Sequence, residues 1–185
     1  MRSLKRQSRV LGIDDGPYVR GSDTTPIVMT VWRLDGYIDG FLMARVKTDG
    51  DDSAEVISRS LMGSRFGSQV RCIISDGACL AGFNVLDMDE LNRTTCVPVI
   101  TTSDEIPDTP SIAKALKSAG LDDGRLERIT RHEPFVIESI DGPVHIRICG
   151  ASKEDAISVV MRTIVYGRVP EPVRISHLIA KAIYQ

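Results

Sequence analysis

The chain has 185 residues, 42% of them apolar and 26% charged, with a formal net charge of −2. That composition can fill a globular core and excludes a wholly disordered chain; the length predicts one domain, residues 1–185, with a basic arm over residues 1–8. No stretch approaches the roughly 20 apolar residues of a membrane helix, and the run Val10 to Ile13 is too short for a signal peptide, so a cytoplasmic location is expected.

Val10 to Ile13 reads as a buried strand opening into the turn cluster Asp14-Asp15-Gly16-Pro17. Pro26 to Trp32, rich in β-branched residues, is a second strand. Asp35-Gly36 then signals a hairpin into a third, Tyr37 to Val46. Ser53 is placed to cap a helix through Met62, with Ala54, Ile57 and Leu61 on one face. Val70 to Ser75 is apolar enough for the centre of a parallel sheet.

Asp87 to Arg93 has helical character, and Val97 to Ile100 is a short strand. Thr109-Pro110 predicts a cap and first helical position for a helix ending at Gly120. Leu126 to Ile148 alternates, predicting a strand or hairpin. Ser152 with Asp155 predicts the start of a helix through Val165, and Pro172 to Tyr184 closes the chain as an amphipathic helix. A hairpin followed by alternating helices and strands gives a mixed α/β sheet with helices on its faces.

Charge is uneven: the net is −4 over residues 1–108 and +2 over 109–185, and the first nine residues carry Arg2, Lys5, Arg6 and Arg9 without an acid. An acidic centre flanked by basic surfaces suits metal ions and a polyanion; ordinary solvated charge is the competing reading. Cys72, Cys79, Cys96 and Cys149 are far apart with no zinc-ligand spacing, and are expected to be reduced thiols without a structural or redox role.

Asp14 and Asp76 end the first and fourth strands, where the carboxyl ends of an α/β sheet face the ligand crevice. If those strands are neighbours the two carboxylates converge, and Asp49, Asp51 and Asp52 after the third strand could add a ligand. Clustered hard oxygen donors select Mg²⁺ or Mn²⁺, and paired ions of that kind serve phosphodiester hydrolysis. Each Asp-Gly is equally a turn signal; three of them at strand ends shift the balance to a site. His132 and His145 carry no motif, and Trp32 is expected in packing.

The runs Gly12-Ile-Asp-Asp-Gly16, Asp49-Gly-Asp-Asp52, Asp76-Gly77, Ala81-Gly-Phe-Asn-Val-Leu-Asp87, Pro98-Val-Ile100 and Pro170-Glu-Pro-Val-Arg-Ile-Ser-His177 resemble, over nearly the whole chain, the largely archaeal domain-of-unknown-function family 99, a relative of endonuclease V. The resemblance implies a ribonuclease-H-like mixed sheet, antiparallel hairpin strands first and parallel strands after. It implies Asp14 and Asp76 as metal-binding aspartates, with His177 beside the active site as a catalytic residue. Asp49 and Asp52, from their place after the third strand, are expected to complete the metal set, with Asp49 substituting in catalysis for the unmatched third-strand glutamate. Tyr37-Ile38-Asp39-Gly40-Phe41-Leu42 resembles the endonuclease V wedge, which implies Tyr37 and Ile38 as nucleic-acid contacts, and the matching Pro170–His177 segment implies Arg174 beside the phosphate. Arg2, Lys5 and Arg6 are expected on the nucleic-acid backbone from the charge of the basic arm. The chain departs from endonuclease V where its third-strand glutamate is expected, at Val46; Gly36 and Asp39 replace the wedge prolines, and Asp104 lies near the position of a lysine.

The leading expectation is a Mg²⁺- or Mn²⁺-dependent endonuclease acting on deaminated or structured DNA or RNA. The alternative is a nucleic-acid-binding module of the same fold with weak or lost chemistry. A phosphotransferase of the actin-like kinase type fits Gly12-Ile-Asp-Asp-Gly16 but needs a second large domain and has no P-loop to support it.

Overall fold

A computed structural model describes residues 4–17, 21–105, 108–121 and 124–183, so Arg2 of the basic arm and Tyr184 of the last helix lie outside the described residues. The first three strands, β1 (Arg9–Asp15), β2 (Thr24–Arg33) and β3 (Tyr37–Lys47), form an antiparallel meander. Helix α1 (Ser53–Met62) crosses to β4 (Val70–Asp76), which lies parallel to β1 on its other side. The two-residue strands β5 (Cys79–Leu80) and β6 (Asn84–Val85) make a small hairpin before α2 (Met88–Thr95). Strand β7 (Val99–Ser103) adds in parallel to β4; α3 (Thr109–Ser118) and α4 (Arg125–Thr130) follow. The antiparallel pair β8 (Phe135–Ser139) and β9 (Gly142–Cys149) extends the sheet, and α5 (Lys153–Thr163) and α6 (Glu171–Ala182) close the chain. The order across the seven-stranded sheet is β3-β2-β1-β4-β7-β9-β8.

The inner strands β1, β2, β4 and β7 bury both faces because a helical layer covers each side, whereas the edge strands β3 and β8 are largely exposed. Leu11, Ile13, Ile27 and Ile73 pack with Ile57 and Leu61 of α1 and Leu91 of α2. Val10, Cys72, Ile74 and Ile100, on the alternate parity, pack with Val159 and Val160 of α5 and Val173 of α6. Helices α3 and α4 cover the β5–β6 hairpin through Leu116, Ile129 and Val85.

Three local expectations are corrected. Ser53 is the buried first residue of α1 rather than its cap: its hydroxyl donates to the Val85 carbonyl at 3.0 Å, and Asp52 precedes the helix. Asp108, not Thr109, caps α3, its carboxylate accepting from the Ser111 amide at 3.1 Å, so the cap and the first helical residue each lie one position earlier than the proline rule placed them. The alternating stretch from Leu126 begins as helix α4, because Leu126 and Ile129, three residues apart, both reach the α3 cluster. Ser152 does cap α5, accepting from the Asp155 amide at 3.2 Å.

Helix α6 lies directly on β1. A side chain at Gly12 would overlap the Pro172 backbone, so glycine sets this close approach. Ser176 then bridges the layers, donating to the Gly12 carbonyl at 2.9 Å and accepting from the Thr30 amide at 3.1 Å. This contact positions the functional site.

Candidate active site

Asp14 and Asp76 end adjacent parallel strands. Ile13 pairs with Ser75, so the two aspartates emerge side by side on the face covered by α6. Asp14 is only 4% exposed. Its Oδ1 accepts from the Asp15 amide at 2.8 Å, and its Oδ2 lies 2.7 Å from Nδ1 of His177. His177 comes one residue after Ser176 on α6, so the close packing at Gly12 brings its ring to this carboxylate. Burial pushes the Asp14 carboxyl up to about 8 against the pull of the Asp15 amide, and the Asp76 and Asp15 charges push the same way. Asp76 is also raised, first by the protein walls around it and then by Asp104, with His177 opposing.

Asp104 follows β7, the strand on the other side of β4. It pairs with Arg168 from the α5–α6 connection at 3.3 Å. Asp76, Thr102, Asp104 and Arg168 line a cleft of about 320 Å³ at the ends of the parallel strands. The Asp76-Gly77 turn is held by the Gly77 amide, which donates to the Thr102 carbonyl at 2.8 Å. Three carboxylates, an imidazole and a guanidinium thus gather on one face. This set can bind a hard dication and a phosphate together.

Asp49 and Asp52 are not brought into that group. The Asp49 carboxylate accepts from the Phe83 amide at 2.8 Å, and its own amide donates to the Ala81 carbonyl at 2.9 Å. Asp52 accepts from the Lys47 amide at 3.0 Å and from Nδ2 of Asn84 at 2.7 Å. Asp51 pairs with Arg128, and Asp15 accepts from the Ala81 amide. The Ala81–Asp87 run is therefore the clasp that ties the β1 end to the β3–α1 loop, and Asp49 and Asp52 of that loop are occupied in holding it.

The expected nucleic-acid residues are also dispersed. Tyr37 pairs across β2 at the end where Arg33 meets Arg9, which is the start of β1, five positions or roughly 17 Å from Asp14. Tyr37 and Ile38 are exposed there, with Arg33 stacked over the Tyr37 ring. Lys5 and Arg6 belong to the same end, ahead of β1. Arg174 forks onto Glu171 of its own helix at 2.6 and 2.8 Å. Val46 is fully buried in the α1-side core, and the β3 residue level with Asp14 on its own face is Met43. Sequence reasoning missed Asp104 and Arg168 as site members. The available signal for Asp104 was its place just past a strand parallel to β4; nothing local marked Arg168.

The sequence profile of a family described as endonuclease dU matches residues 6–184. The chain belongs to that family. It is 35% identical to a UPF0215 protein of Methanothermobacter thermautotrophicus over 193 aligned residues, 98% of this chain and 90% of the relative. It is 36% identical to a UPF0215 protein of Methanosarcina acetivorans, over 97% and 92% of the two chains. Among solved structures, a protein of Archaeoglobus fulgidus superposes with a TM-score of 0.84 at 30% identity, over 96% of this chain and 98% of that one. Ciona intestinalis endonuclease V, solved with inosine-containing DNA, gives 0.62 at 15% identity, over 94% and 84%. These likenesses bear out the ribonuclease-H-like, endonuclease V-like fold expected from the family resemblance. The fold is thus endonuclease V-like, and the Gly12–Gly16, Ala81–Asp87 and Pro170–His177 runs lie at the β1 end, in the clasp and at the start of α6.

Proposed function

We propose that the chain is a divalent-metal-dependent endonuclease hydrolysing phosphodiester bonds in deaminated or structured nucleic acid. Deoxyuridine-containing DNA is the first substrate to test, because the family is described as endonuclease dU. The observation that carries the reading is the buried Asp14, bonded to His177 and set beside Asp76 at the ends of neighbouring parallel strands.

The donor set fits a hard cation. Two carboxylates held close and raised by burial are favoured in their charged forms when a dication sits between them. Asp14 and Asp76 would hold Mg²⁺ or Mn²⁺, with Asp104 completing the set. The chemistry supplied there is Lewis acidity toward a phosphoryl oxygen and neutralisation of its charge. Asp14 engages Nδ1 of His177, which leaves Nε2 as the atom for proton exchange with water or a leaving oxygen. Arg168, across the cleft from Asp76, orients a phosphate by charge-assisted hydrogen bonds in place of the lysine of endonuclease V.

A second reading, a binding module with weak chemistry, draws on Met43 and Val46: neither supplies the third-strand carboxylate of endonuclease V. Mn²⁺-dependent nicking of deoxyuridine- and inosine-containing oligonucleotides separates the two. The expected result is metal-dependent cleavage abolished in Asp14→Asn and Asp76→Asn, slowed about 10²-fold or more in His177→Ala, and slowed in Arg168→Ala. Binding of these substrates without cleavage, at every enzyme and Mn²⁺ concentration, would replace the nuclease reading with the binding module.

A further inference from the structure

A second group of ligand atoms lies at the opposite end of the sheet from Asp14 and Asp76. Cys149 ends β9 and pairs with Val99 at the start of β7, three positions from the Thr102 that adjoins Asp76. The Cys149 thiol donates to Oδ1 of Asp89, the second residue of α2, at 3.3 Å. Nε2 of His132, in the connection after α4, lies 3.3 Å from Oδ2 of the same carboxylate. One ligand atom from each residue lies within 4.8 Å of the others. His132 is held in place from behind, because its carbonyl accepts from Nε of the buried Arg147 at 3.0 Å.

We propose that Asp89, His132 and Cys149 form a binding site for a borderline-soft divalent cation of the zinc class, with the fourth position open to solvent. Zn²⁺ bound at about 2.3 Å to sulfur and about 2.0–2.1 Å to nitrogen and oxygen places tetrahedral ligands roughly 3.3–3.5 Å apart. The sulfur and the imidazole nitrogen each lie at that distance from a different oxygen of Asp89, so a small turn of the carboxylate is what a single shared ligand oxygen requires. A mixed thiolate, imidazole and carboxylate set favours Zn²⁺ over Mg²⁺, unlike the all-oxygen carboxylate set at Asp14. A nucleophilic Cys-His pair fits less well, because the thiol is bonded to the carboxylate rather than to the ring.

Arg131 competes with a cation for Asp89. Its guanidinium bonds Oδ2 of Asp89 at 2.8 Å and also lies 3.5 Å from Glu127 one turn back on α4. Glu127 therefore offers the guanidinium an alternative partner when a cation takes Asp89. The three ligands come from α2, the α4–β8 connection and β9, so the ion would clip together segments distant in the chain. That is why no Cys-x-x-Cys or His-x-x-x-His spacing announces the site.

Co²⁺ titration of the chelator-stripped full chain tests this. One equivalent should give the visible bands of four-coordinate Co²⁺ and a near-ultraviolet thiolate charge-transfer band, both bleached by Zn²⁺ and not by Mg²⁺. Cys149→Ser should remove the charge-transfer band, and His132→Ala should weaken binding at least tenfold. Arg131→Ala, which vacates Asp89, should tighten binding several-fold. Cys96→Ser and Asp14→Asn should leave the spectrum unchanged, which separates this site from an exposed thiol and from the carboxylate centre. A charge-transfer band that survives in Cys149→Ser, or is missing from the native chain, overturns the proposal. If Cys149→Ser does not fold, Arg131→Ala decides: unaltered Co²⁺ affinity in that variant equally counts against it.

Discussion

Asp14 is held where its charge is costly. Its folded value of about 8 lies well above the ordinary 3.8. Between those values the native state binds a proton that the unfolded chain has released, so stability of the metal-free protein falls as pH rises from about 4 to about 8, then levels off. Asp14→Asn should raise the Tm of metal-free protein most at pH 8, by an amount worth on the order of 2 kcal/mol, and much less at pH 5. Melting curves with and without Mn²⁺ measure it: Mn²⁺ should remove the pH dependence in the native chain only. Equal gains at both pH values would detach the effect from this carboxyl. Asp49 is the contrasting case, since its carboxylate serves the Phe83 amide. Asp49→Ala should cost about 1–3 kcal/mol in urea unfolding, the penalty of stranding that amide, with Mn²⁺ affinity unchanged by calorimetry. Lost affinity with retained stability would return Asp49 to the metal set.

At the level of elements, the contact between β1 and α6 joins fold to site. Gly12 admits the Pro172 backbone, Ser176 ties α6 to β1 and β2, and the next residue delivers His177 to Asp14. A methyl at Gly12 must push α6 outward, and overpacking of this kind costs about 1–3 kcal/mol. Gly12→Ala should therefore lower stability by about that amount and also lower any nicking rate, because His177 retreats from Asp14. A variant with the stability loss but native nicking and native His177 titration by NMR would show that helix and site are not coupled. The clasp from Ala81 to Asp87 works at the same scale: Asn84 alone holds the Ser53 amide, the Lys47 carbonyl and the Asp52 carboxylate.

Across the whole molecule the carboxylate centre and the basic arm stand at opposite ends of β1, whose Arg9-to-Asp14 span is roughly 17 Å by strand rise. Lys5 and Arg6 cannot serve the scissile phosphate itself, yet a duplex of about 12 base pairs, at 3.4 Å each, spans both places. Replacing both with glutamine should lower the slope of log affinity against log salt by about 2 on such a duplex, and leave single-turnover nicking at saturation unaltered. An unchanged slope would take the arm off the path of the nucleic acid.

The strands of the seven-stranded sheet and most helices were legible in the sequence, because alternation, caps and Asp-Gly turns are local consequences of backbone geometry, whereas the two-residue strands β5 and β6 are too short to show a pattern. Asp14 and Asp76 were legible too: a carboxylate just past a buried apolar run must sit at a strand end, and the parallel order of an α/β sheet brings such ends together. His177 could be singled out only through its resemblance-bearing run, since nothing about a helical histidine names its partner. The assignment of Asp49 and Asp52 to the metal set shows where local reading stops. Their spacing is compatible with a ligand, but only the tertiary structure shows the Phe83 amide and Asn84 already taking those carboxylates. Asp104, Arg168 and the Asp89–His132–Cys149 group were decided the same way. Their partners come from segments tens of residues apart, and which side chains meet across such distances is set by sheet order and helix packing, not by any spacing along the chain.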